Sequence, residues 1–171
     1  MTLLTVVRHA KSSWGDPELA DFDRPLNKRG RHAARQIGEE LKKRGFKFDL
    51  VLASPAARVR ETLDEIAKGY GEELPVQFEP EIYDASERTL FELVRRIPES
   101  AHAPMLVGHN PGLQQLVLAL TRDDGNGPLD QVRAGLPTCA VALVELPAPR
   151  WAEVMENSGE IRELILPREL D

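Results

Sequence analysis

Three short stretches of the chain combine arginine, histidine and a preceding apolar run. Arg8-His9 follows residues 3–7, Ser54-Pro55 with Arg58 follows residues 48–53, and Gly108-His109-Asn110-Pro111 follows residues 105–107. Guanidinium groups stay charged at any relevant pH and match the oxygens of a phosphoryl group two at a time. A neutral imidazole is a competent nucleophile toward phosphorus, and a covalent intermediate divides hydrolysis into two easier steps. A second imidazole, if protonated, donates to the oxygens over which charge spreads in the transition state. Taken singly, each residue has a plainer reading. Arg8-His9 is an ordinary dipeptide, His109 could satisfy a buried hydrogen bond, and Arg58 could be a solvated helix residue. Their joint placement after three candidate strands points to one anion-binding rim, provided those strands are parallel neighbours.

The elements that must position these residues are readable from periodicity. Residues 3–7 are β-branched and apolar, as in a buried strand. A polar, aspartate-rich loop spans residues 15–25, and a helical pattern starts near Asn27. Ala33, Ala34, Ile37 and Leu41 share one face of it, Lys28, Arg31, Arg35, Glu39 and Lys42 the other, and Gly45 is placed to stop it. Residues 48–53 predict a second strand, with Ser54 as a helix cap and Pro55 in the first turn of a helix bearing Val59, Leu63, Ile66 and Tyr70. Residues 76–78 fit a short strand, and Ser86 can cap a helix carrying Leu90, Leu93, Val94 and Ile97, ended by Pro98. Residues 105–107 predict a further strand, and Asn110-Pro111 opens a helix with Leu113, Leu116, Val117 and Leu120. Residues 122–137, with three glycines and two prolines, read as a long irregular loop. Residues 139–146 and 151–155 predict a hairpin joined by 147–150, and residues 161–166 fit either strand or helix. The alternation predicts an α/β fold, a three-layer α/β/α sandwich whose central sheet is mainly parallel with an antiparallel strand near the end. With no repeat and no linker-like tract, one domain over residues 1–171 is expected.

Composition narrows the classes. The 171 residues hold 22 Lys and Arg against 28 Asp and Glu, a formal net charge of −6. That balance argues against a nucleic-acid partner, which needs clustered cations, and the recurrent apolar residues argue against disorder. A single cysteine, Cys139, excludes an intrachain disulfide or a Cys-rich zinc site, and is read as a small core residue at the start of a strand. The apolar start is cut short by Arg8, too early for a signal sequence or membrane span, so a cytoplasmic location without a membrane partner is expected. Asp16, Asp21 and Asp23 lack the spacing of a calcium loop, and Asp23 with Arg24 is expected to order the loop instead; neither metal nor cofactor is expected. Phosphate-loop, dinucleotide-binding and serine-elbow motifs do not occur.

The segments VVRHAKSSW, DFDRPLNKRG, DLVLASPAARVRET, EIYDAS and MLVGHNPG, in that order, resemble the histidine phosphatase superfamily, phosphoglycerate mutase-like, and within it the short SixA-like phosphohistidine phosphatases. The resemblance covers residues 3–120; Ala10 stands where many members have glycine, a change this branch commonly shows. It implies a phosphoglycerate mutase-like fold and a metal-independent phosphatase in which His9 becomes transiently phosphorylated. Arg8, Arg58 and His109 would complete the phosphate pocket, with a backbone N–H from Asn110 and with Lys11 and Ser12 near its mouth. The family's general acid falls on Glu81, with Asp84 as second choice. A phosphoramidate with a protonated imidazole leaving group needs that acid less than an alkyl ester does. The expected substrate is phosphohistidine of a protein; a small phosphate ester, a non-catalytic phosphate-binding module and a mutase are the alternatives. Trp14 is expected at the loop edge. Oligomeric state is not legible in the sequence.

Overall fold

The structure, a computed structural model, describes residues 1–123, 125 and 127–170. Six strands form one sheet: β1 (Thr2–Arg8), β2 (Leu50–Ala53), β3 (Val76–Phe78), β4 (Pro104–Gly108), β5 (Val141–Leu146) and β6 (Glu160–Ile165), in the spatial order β3-β2-β4-β1-β5-β6. β1, β4, β2 and β3 pair in parallel, while β5 runs antiparallel to both β1 and β6. The helices are α1 (Lys28–Lys43), α2 (Ala57–Tyr70), α3 (Glu87–Arg95), α4 (Gly112–Leu120) and α5 (Gly127–Ala134).

Alternation along each strand divides the core in two. Leu4, Val6, Leu52 and Leu106 pack with the apolar faces of α3, α4 and α5 and with Trp151. Val7, Val51, Ala53, Met105 and Val107 pack with α1 and α2 on the opposite side. The result is the three-layer α/β/α arrangement expected from the sequence. The predicted cap at Ser86 is present, accepting from the Thr89 N–H, and Asn27, near which the first helix was expected to start, caps α1 by accepting from the Gly30 N–H. No helix among the described residues is long and apolar enough to cross a membrane.

Several expectations are corrected. Residues 151–155 are not a strand. Trp151–Glu153 form a 3-10 turn whose indole is buried, with Nε1 donating to the Ala101 carbonyl at 2.9 Å. The partner of β5 is β6, which settles residues 161–166 as strand. The 122–137 segment is not wholly irregular, because Leu129 and Val132, one turn apart, bury the apolar side of α5. Ser54 does not cap α2, whose N-cap is Ala56. Cys139 lies before β5 with a left-handed backbone (φ 61°) rather than starting the strand.

α1 and α2 approach closely because glycines lie at their crossing. A Cβ on Gly38 would collide with the Ile66 carbonyl, and one on Gly69 with the Arg35 carbonyl. Both obstacles are backbone, so neither can rotate away. Gly38→Ala is therefore expected to destabilise the fold by about 1–3 kcal/mol despite its better helix propensity. A lowered midpoint of chemical denaturation would register this, and an unchanged or raised midpoint would contradict the close crossing.

Candidate active site

The parallel register brings the three predicted stretches together. Arg8 lies beside Gly108, and Ala53 beside Val107, so the residues that follow leave the sheet at one edge. The His9 N–H donates to the Gly108 carbonyl and the Ser54 N–H to the Val107 carbonyl, both at 3.1 Å, extending the ladder one step into the rim. The rings of His9 and His109 stand 5.3 Å apart between centroids, tilted by 55°. His9, Arg58, His109 and Ser54 are all buried.

A hydrogen bond fixes the His9 tautomer. Nδ1 lies 2.7 Å from the Ala10 carbonyl, which can only accept, so Nδ1 carries the proton and the Nε2 lone pair is free. His109 Nε2 lies 2.8 Å from Ser54 Oγ, a hydroxyl that also accepts from the Ala56 N–H and that can pair with either tautomer of the ring. The turn bearing His9 is held further by the Ala10 N–H on Thr62 Oγ1 at 2.9 Å and by the Cys139 N–H, which donates to both the Arg8 and His9 carbonyls at 3.0 Å.

Burial sets the charge states. Desolvation, followed by the nearby Arg58 and Arg8, lowers the His9 pKa to about 4 despite the Ala10 hydrogen bond. Desolvation, then Arg58, His9 and Arg8, lowers that of His109 to about 3. The expected protonated second imidazole is thus neutral in the free protein, and its Nδ1 is left without a protein partner. Burial and the neighbouring Arg58 also press the Arg8 pKa down. Arg8 Nε, Arg58 Nε and His109 Nδ1 are buried without a protein partner. Buried donors are seldom left unpaired, and three converging on one rim are suited to an anion with several oxygens.

Arg58 is anchored by Asp21, where the sequence points to Asp23 as the residue ordering this loop. Its Nη1 and Nη2 donate to the Asp21 carbonyl at 2.8 Å and to Asp21 Oδ2 at 3.1 Å, and the Tyr83 hydroxyl donates to the same Oδ2 at 2.6 Å. The Tyr83 hydroxyl, then Arg24 and Arg58, hold the Asp21 carboxylate down near 2, so it is ionised and cannot act as a proton donor. Asp21, rather than Asp23, pairs with Arg24 (3.1 Å), whose guanidinium also reaches Ser12 Oγ and stacks 3.5 Å over the exposed Trp14 ring. Nothing local in the sequence marks Asp21 or Tyr83, because their partner lies 37 or more residues away.

Asp21, Arg58, Tyr83, Asp84, His109 and Asn110 line a cavity of about 230 Å³. Glu81 is not among them. Its carboxylate pairs with Arg96 at 2.6 Å and lines a separate cavity with Leu50 and Leu52. Asp84, in a left-handed backbone (φ 58°), does face the site. Lys11 and Ser12 do not line it. Among the described residues no group of three His, Cys, Asp or Glu side chains is arranged to hold a metal. The Asn110 side chain is committed to structure: Nδ2 donates to the Leu136 carbonyl and Oδ1 accepts from the Gln114 N–H.

The profile of the histidine phosphatase superfamily (branch 1) matches residues 4–105. The chain belongs to this superfamily. An uncharacterised protein of Mycobacterium leprae is 32% identical over 166 residues, covering 95% of this chain and all of the relative. The candidate phosphohistidine phosphatase SixA of Agrobacterium tumefaciens is 28% identical, with a TM-score of 0.81 over 97% of this chain and 98% of that one. Its counterpart from Nakamurella multipartitia is 26% identical, with a TM-score of 0.83 over 97% and 96%. This histidine phosphatase is therefore a SixA-like, phosphoglycerate mutase-like hydrolase of phosphoryl groups.

The lowered histidine pKa values have a signed consequence. Below the free-imidazole value of about 6.5 the unfolded chain binds protons that the folded one refuses, so stability falls as pH drops toward 4 and then 3. Imidazole nitrogen-15 titration of the free phosphatase should find His9 and His109 neutral at pH 5, and titrating upward once inorganic phosphate is added. Midpoints near 6.5 without phosphate would contradict the site as described.

Proposed function

We propose that His9 Nε2 attacks the phosphorus of a phosphohistidine side chain on a protein. The observation that carries this reading is the convergence of three unpartnered buried groups, Arg8 Nε, Arg58 Nε and His109 Nδ1, beside an imidazole with a free Nε2 lone pair. As the Nε2–P bond forms, the P–N bond to the substrate imidazole breaks; that nitrogen keeps the electron pair, and with a proton already on its other ring nitrogen the substrate side chain leaves as a neutral imidazole. Water then attacks phosphorus, the P–Nε2 bond breaks, and phosphate departs. Arg8 and Arg58 bind the equatorial oxygens, His109 donates its Nδ1–H to them, and the backbone N–H of Asn110 adds a further contact. A bound phosphoryl group also offsets the mutual repulsion of the guanidiniums.

Two features favour an N-phosphorylated protein over an alkyl phosphate. Asp21 and Asp84 line the cavity beside His109, and acidic side chains there suit a substrate imidazole that is protonated on its second ring nitrogen while it carries the phosphoryl group. The chain between Ser54 and His109 is taken up by α2, β3 and α3 rather than by a capping subdomain. The phosphohistidine phosphatase names of the structural relatives point the same way. Asp84 replaces Glu81 as the candidate proton carrier, since it lines the cavity and forms no hydrogen bond or ion pair among the described residues.

Catalytic efficiencies on a phosphohistidine peptide, an aryl phosphate and an alkyl phosphate test the proposal. His9→Ala should reduce all three to background, and the phosphohistidine peptide should be the preferred substrate of the wild type. Asp84→Asn should slow the alkyl phosphate about a hundredfold and the phosphohistidine peptide far less. Glu81→Gln should leave both within about twofold, because its exposed pairing with Arg96 contributes little. Retained turnover in His9→Ala would rule out the covalent route. A preference for the alkyl phosphate would point to a small-molecule phosphomonoesterase.

A further inference from the structure

Arg8 also borders a second cavity. Its Nη1 donates to the Leu136 carbonyl at 3.0 Å, and its side chain lines a cleft of about 390 Å³ flanked by α4, α5 and the end of β6. This cleft is larger than the one over His109 and meets it at Asn110, which lines both. Its polar lining consists of Arg8, Arg168, Asn110, Gln114 and Gln131, with leucine side chains between them. In a protein of net charge −6, no carboxylate among the described residues lines it. The contrast with the Asp21 and Asp84 side is direct. Arg168, exposed just after β6, has no hydrogen-bond or ion-pair partner among the described residues.

Two guanidiniums and the Gln131 amide between apolar walls complement a ligand that joins two anionic groups through a short apolar spacer, the Asn110 and Gln114 amide donors being taken up by the Leu136 and Val132 carbonyls. We infer that this cleft takes a second anionic group of the phosphorylated substrate, paired with Arg168, while the transferred phosphoryl group sits at Arg8 and His9. The inference rests on the proposed reaction at His9. The second anion is a carboxylate in chemical class. An acidic residue flanking the phosphorylated side chain of a protein supplies one, and so does a small phosphorylated acid. Arg168 is thus a specificity residue, acting on a part of the substrate that does not react.

Two matched substrate pairs test this in the full chain. One pair is a phosphohistidine peptide with Glu or Gln next to the phosphorylated residue; the other is phenyl phosphate with or without a carboxymethyl substituent. The quantity read is the ratio of kcat/KM for the charged member to that for the neutral member. In the wild type at least one pair should favour the charged member by about tenfold, the worth of a charge-assisted contact. Arg168→Glu should abolish or invert that preference through KM, and Arg168→Lys should restore part of it. The pair that responds identifies the source of the carboxylate. Ratios near one in both pairs, or ratios equal in wild type and Arg168→Glu, overturn the second-anion site while leaving turnover at His9 intact. Turnover of the neutral members that survives in His9→Ala overturns both this inference and the reaction on which it rests.

Discussion

Parallel pairing of β1 with β4, and of β4 with β2, is the constraint on which the rest of the site depends. With Arg8 beside Gly108 and Ala53 beside Val107, three chain segments leave the sheet at the same level. A slip of one residue would send His9 to the opposite face and separate it from His109. Buried β-branched and leucine side chains on both faces of the sheet hold that register, because either displacement would exchange the two apolar cores. The chemistry is therefore positioned by packing that never touches the reacting atoms.

Placing two arginines and two histidines at one rim is electrostatically unfavourable, and the protein answers in two ways. The histidines are neutral; the Ala10 carbonyl fixes the His9 proton on Nδ1, and Ser54 Oγ holds the His109 ring through Nε2. The arginines keep their charge, and one of them, Arg58, is braced by Asp21. The same arrangement leaves His9 neutral with a free Nε2 lone pair and leaves buried nitrogens without protein partners. In the proposed reaction, binding and activation thus share one cause, the withdrawal of cationic groups from water without full compensation. The net charge of −6 describes the solvated helix faces and says little about this socket.

Residues at strand ends were readable because a strand announces itself by local periodicity and the residue after it is then known. Residues that act through distant partners were not. Asp21 is one acid among several in a polar loop, and the family resemblance puts Glu81 ahead of Asp84 as proton donor. What separates the last two is the direction of the chain at 80–84, where Glu81 turns toward Arg96 and Asp84 toward Arg58 and His109. Trp151 was read as strand because it is large and apolar. Its indole instead enters the core as part of a 3-10 turn, guided by an acceptor 50 residues earlier. The glycines and prolines of 122–137 concealed α5, whose helical form depends on burying Leu129 and Val132.

By itself, then, the sequence determined the α/β alternation, the start of α1 near Asn27, the cap at Ser86, and the identity of Arg8, His9, Arg58 and His109 as candidate phosphate ligands, since all of these depend on side-chain type and short-range spacing. Tertiary structure alone decided which nitrogen of His9 carries the proton, that both rings are neutral, that Asp21 braces Arg58, and which carboxylate faces the cavity. Those properties arise from burial and from hydrogen bonds between residues far apart in the chain. Neither exists until the sheet has brought the three segments to one edge.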